Sequence, residues 1–129
     1  MQKFVRGQAS TLLRRLAYLS HDAVQLGSAE AIHDLRVGIR RLSECLREFE
    51  SFFPAGRAKK VRRHLREVMK LAAEVRNRDI AMALLQKAKV IADEGLEREW
   101  QRAKQNLMDI LRTWIRHEVT QKWREELNV

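Results

Sequence analysis

His33, Arg36, Arg40, Arg41 and Arg47 recur at helical spacing, and Lys59, Arg62, Arg63, Arg66, Lys70 and Arg76 recur again further along the chain. These side-chain types bind phosphate. A guanidinium fork meets two phosphate oxygens at once, an ammonium adds a point charge, and an imidazole donates one further hydrogen bond. Nothing beside them suggests bond-making chemistry: the sequence shows no glycine-rich phosphate loop and no nucleophile spaced from a base. Glu30-Ala31-Ile32-His33 has the Glu-x-x-His spacing of di-iron bundles, but such a site needs a second copy and two more inward glutamates. The sequence offers no second copy, so no metal is expected. His21, His64 and His117 have no usable partner spacing. The chain is expected to be a binder of polyanionic phosphate and not an enzyme.

The sign pattern separates this reading from that of an ordinary solvated face. A surface helix gains a few tenths of a kcal/mol from each Glu/Lys pair at i,i+4, and like charges at that spacing lose about as much. Arg36/Arg40, Lys59/Arg63, Arg62/Arg66 and Arg66/Lys70 are all like-charge pairs. Together they cost about 1 to 2 kcal/mol, a deficit that a bound polyanion reverses.

Such residues need helices to align them, and the composition supplies helices. The 129 residues suit one domain, and one proline and five glycines leave little for turn-rich β architecture. The fold class is therefore all-α: an antiparallel bundle of four to five helices in a single domain, 1–129. No apolar run approaches the roughly 20 residues of a membrane span, and no leader precedes the first helix, so a cytoplasmic location is expected. The lone Cys45 reads as packing in a reducing compartment. The net charge of +9 is uneven. Residues 1–80 hold 17 basic and 9 acidic side chains, and residues 81–129 hold 9 and 8, so the basic surface belongs to the first two-thirds.

Punctuation and periodicity divide the chain into five segments. The first spans about Gln8 to Leu26 and stops at Gly27. The second is capped by Ser28 and reaches about Phe53, before Pro54 and Gly56. On it His33, Arg36, Arg40, Glu44 and Arg47 fall within a strip roughly 80° wide, opposite Ile32, Leu35, Ile39, Leu42 and Leu46. The third runs from about Arg57 to Val75, with an apolar stripe of Val61, Leu65, Val68, Ala72 and Val75. A short fourth covers about Arg78 to Asp93. The fifth, from Gly95 to Leu127, contains no helix breaker and would be about 48 Å long as one rod. Its stripe includes Leu96, Trp100, Leu107, Leu111 and Trp114, and then drifts about 100° to Ile115, Val119 and Trp123. That second apolar line suggests a two-fold homodimer; the alternative is a kink that folds Trp123 back onto the same core.

His33-Asp34-Leu35-Arg36-Val37-Gly38-Ile39-Arg40-Arg41-Leu42, followed by Phe49, resembles the signature helix of the CHAD family, the conserved histidine α-helical domains. Arg66, Lys70 and Glu74-Val75-Arg76-Asn77-Arg78-Asp79-Ile80 resemble the basic helix and the Arg-Asp-x-Asp-Val type turn that follow it. The resemblance implies a helical fold whose basic residues line a groove, binding of inorganic polyphosphate, and a location at polyphosphate granules. It implies phosphate contacts from His33, Arg36, Arg40, Arg41, Arg66, Lys70 and Arg76, with Asp79 orienting arginines; Arg47, Lys59, Arg62 and Arg63 rest on face geometry. No cofactor is implied. Ala72-Ala73 stands where the family commonly has Leu-Gly, and Asn77 replaces the first acid of the turn. The chain resembles only the first of the family's two similar halves, which a homodimer would complete.

Three other functions compete, one of them a helical interaction protein whose basic faces meet an acidic partner chain. A nucleic-acid-binding bundle would also use a dense arginine surface, but most of the aromatic residues fall in core stripes and leave few stacking platforms. An accessory subunit of a phosphate-handling enzyme would need residues that the sequence does not advertise.

Overall fold

The computed structural model describes all 129 residues and contains five α-helices and no strand. Helix α1 spans Gln2–Leu26, α2 Ala29–Glu48, α3 Arg57–Lys87, α4 Glu94–Arg116 and α5 Val119–Leu127. A 3-10 turn, Glu50–Phe52, follows α2. The first helix begins six residues before the expected start, and the second ends earlier than Phe53 because the chain tightens into that turn.

The helices end where local chemistry dictates. Gly27 takes the left-handed conformation (φ 59°) that closes α1, and the next residue, Ser28, accepts a hydrogen bond from the Ala31 amide to open α2. Asp93 does the same for α4 through the Leu96 amide at 2.8 Å. The helices α1 to α4 form a ring in which α1 packs on α2 and α4, and α3 packs on α2 and α4. Gly38 lets α1 and α2 approach closely: a Cβ there would lie 2.5 Å from Leu19 Cδ1. One cluster of 24 buried apolar residues fills the ring, led by Leu13, Leu16, Leu35, Leu42, Leu65 and Leu107. Cys45 packs at its edge, and burial raises its thiol pKa.

Two expectations about helix boundaries are corrected. The third and fourth expected segments are one helix of 31 residues, α3. The Glu74–Ile80 stretch, read as a turn, is helical throughout: it contains neither glycine nor proline, Val75 is fully buried, and Arg78 Nη1 donates to the Glu74 carbonyl one turn back. Conversely, the expected 48 Å rod is broken. The chain turns at His117 and Glu118, where Glu118 is left-handed (φ 49°), and α5 folds back over the open end of the bundle.

The kink is driven by Trp123. It is 5% exposed, stands edge-on to Trp114 at 5.1 Å and stacks on His64 at 6.1 Å. Arg124 Nη2 donates to Ser10 Oγ at 2.6 Å, and Lys60 pairs with Glu126 at 3.3 Å, so α5 is tied to both α1 and α3. Burying an indole recovers more free energy than the roughly 1 to 2 kcal/mol that a left-handed glutamate costs. The apolar line from which a dimer was inferred is therefore largely spent inside one chain.

A candidate polyanion-binding groove

A furrow runs between α2 and α3 on the outside of the ring. It exists because the apolar stripes of both helices turn inward, leaving their flanking arginines to form its walls. Near the start of α2 it deepens into a cavity of about 250 Å3 lined by Ala29, Ile32, His33, Arg36, Arg76, Asp79 and Ile80. Further along, a second depression of about 240 Å3 is lined by Arg40, Arg47, Arg62 and Arg66, with Ser43 and Glu44 on its wall and Ile39, Leu65 and Met69 beneath. Seven of the eleven basic residues singled out from the sequence thus line one furrow. Ser43 was not foreseen; its only signal was its place three residues after Arg40 on the same face.

The groove is electrostatically unsatisfied. Of its arginines only Arg47 makes an ion pair, with its exposed chain neighbour Glu48 at 3.7 Å. Glu44, the acid in the second depression, pairs with none of them. The Nε atoms of Arg36 and Arg62 are covered and have no hydrogen-bond partner. The pKa of Arg36 is lowered by burial first and then by the positive charges of Arg76 and Arg40. An anion placed there would compensate the lost solvation of this guanidinium and screen its repulsion from Arg76 and Arg40.

The four other basic residues fall elsewhere, whereas Asp79 lines the first cavity. Arg41 lies on the opposite shoulder of α2, lining a depression against α1 with Arg15 and Asp34. Lys59, Arg63 and Lys70 are exposed on the outer side of α3 and line neither cavity of the furrow. A step of 100° per residue carries them 60 to 100° away from Arg62 around the α3 axis. They extend the positive field without forming the wall. Asp79, expected to orient arginines, accepts a hydrogen bond from Trp100 Nε1 at 2.7 Å and makes no ion pair with Arg36 or Arg76. That bond joins α3 to α4. Trp100, expected in the core, is half-buried at that junction, with Lys104 Nζ 3.4 Å from its ring centroid.

The family model of the CHAD domain matches residues 7–129, nearly the whole length. The chain belongs to the CHAD domain family. The CHAD domain is associated in general with polyphosphate binding. No curated protein and no solved structure gives a match. Both CHAD-like blocks border the furrow: the first supplies the α2 wall from His33 to Arg40, and the second supplies Arg66 and Arg76 opposite. No three His, Cys, Asp or Glu side chains gather closely enough to hold a metal, and no helix is long and apolar enough to cross a membrane.

Proposed function

We propose that this chain binds inorganic polyphosphate non-catalytically along the α2–α3 groove. The observation that carries the reading is a row of arginines, Arg36, Arg40, Arg62, Arg66 and Arg76, facing one another without acid partners, two of them with covered and unpaired Nε atoms. A folded protein that leaves such groups unpaired loses stability, and a linear polyanion supplies the missing acceptors all along the furrow. An extended chain of phosphates fits the groove's shape better than a compact anion does, because the two cavities lie end to end. Nucleic acid is the competing ligand. It is disfavoured by the placement of the aromatic rings: Phe4 and Tyr18 are the two well-exposed ones, and neither lines the groove.

Binding of long-chain polyphosphate, duplex DNA and single-stranded RNA, compared at matched phosphate concentration and salt, tests the choice. Polyphosphate is expected to bind most tightly. Six groove arginines, counting Arg47, give a log–log salt slope of about −4 for a flexible strand, and Arg40→Ala with Arg66→Ala shallows it by about 1.4. A double variant that binds as tightly as the parent with an unchanged slope would show that the ligand lies elsewhere. Tighter binding of RNA or DNA would replace the proposal with the nucleic-acid reading.

A further inference from the structure

Helix α3 is too long for its neighbour. At 31 residues against 20 for α2, it extends about 46 Å against about 30 Å, and the excess projects beyond the start of α2. The first part of α4 runs back alongside it. No residue between Val75 and Ala103 is buried. Ile80, Leu84, Val90, Ile91 and Leu96 are 47, 61, 54, 93 and 39% exposed on this projecting hairpin. The hairpin is nonetheless built to keep its shape: Trp100 is bonded to Asp79 at its base, Arg78 reaches Glu99 across one side at 3.9 Å, and Asp93 caps its second arm. A rigid, uncovered apolar arm on a highly charged chain calls for a partner.

The charges on the hairpin say which. Its α3 arm, from Ile80 to Lys89, carries Lys87 and Lys89 and no acid. Its α4 arm begins with four acids, Asp93, Glu94, Glu97 and Glu99, and one base, Arg98, which pairs with Glu94 at 3.2 Å, so the arm stays net negative. Lys87, Lys89 and Glu97 have no ion-pair partner within the chain. Ile80, Leu84 and Lys87 share a strip about 60° wide on α3, and that strip continues the side that faces α2 lower down. A positive arm beside a negative arm, with apolar residues on both, is complementary to its own two-fold image. The acids disfavour an anionic membrane as the occupant, and they disfavour phosphate.

We infer that two copies of this chain associate through their α3–α4 hairpins, the α3 arm of each lying antiparallel along the α4 arm of the other. The five apolar side chains expose on the order of 500 Å2, at the size where a patch marks an interaction site. With their polar neighbours they approach the roughly 800 Å2 per partner of a standard interface. This contact meets the α2–α3 groove only at Ile80, on the rim of its first cavity, and does not rest on what the groove binds.

Sedimentation and light scattering of the full chain across a concentration series test the inference without polyanion. A dimer that dissociates in the micromolar range is expected. Leu84→Asp with Ile91→Asp should weaken it at least tenfold while helicity by circular dichroism is retained, since neither residue is buried. A charge-reversal pair makes the test specific. Lys87→Glu with Lys89→Glu, and separately Glu94→Lys with Glu97→Lys, should each abolish self-association, and the two variants should form a heterodimer on mixing. A strictly monomeric parent overturns the inference. So does a dimer unaffected by the aspartates, or reversal variants that fail to recover on mixing.

Discussion

Arg36→Met isolates the conflict between stability and binding in the groove. Met keeps the unbranched stem and the helix propensity of the side chain and ends near the Nε position, so the packing beneath the stem is retained. What it removes is a guanidinium strained by burial and by Arg76 and Arg40, with its Nε covered and unpaired. Relief of the i,i+4 repulsion contributes about 0.2–0.5 kcal/mol. Removing an unsatisfied donor contributes about 1 kcal/mol, the low end of the usual range because the residue is only partly buried. The free variant should therefore be more stable by about 1 kcal/mol, and its melting midpoint higher by about 3–6 °C. With polyphosphate the order should reverse. At a ligand concentration 100 times the parent's Kd, the parent gains about 2.7 kcal/mol. The variant lacks one charge-assisted contact worth about 1.5–3 kcal/mol, so at the same concentration it gains only about 0.3–1.3 kcal/mol. Thermal melts of both proteins at one low ionic strength, with and without long-chain polyphosphate, read this crossing. A lower midpoint for the free variant, or equal gains for both proteins, would refute the argument that Arg36 is held strained for a ligand.

Two further predictions concern the core. Trp123→Ala should cost about 3–5 kcal/mol, because it empties the seat between Trp114 and His64 that holds α5 down, and chemical denaturation reads the loss directly. Cys45 has a folded-state pKa raised above the free thiol value of 9.0 by burial, so its contribution to stability is complete below that value and is lost as pH rises through the folded pKa. Denaturation midpoints should fall above pH 9 in the parent, and Cys45→Ala should lack that component of the slope.

What the sequence determined by itself was the chemistry and its local alignment. The absence of β signals, the caps at Ser28 and Gly27, and the inward stripes of α2 and α3 follow from periodicity and composition, which act over a few residues. Arginines flanking an inward stripe must face outward, so the two basic walls were legible before any fold was known. Pairing was not. Which shoulder of α2 meets α3 and which meets α1 depends on the packing of the ring, and that alone puts Arg40 in the furrow and Arg41 outside it. The same holds for Asp79, whose carboxylate lies within reach of both Arg76 and Trp100 in principle and is claimed by the indole because α4 runs back past α3. Helix ends without glycine or proline were likewise decided by tertiary contacts. Val75 stays helical because its neighbours keep it buried, and Glu118 turns left-handed because Trp123 has a core to enter. Local propensities differ by a few tenths of a kcal/mol per residue, and burial of one large side chain outweighs several of them.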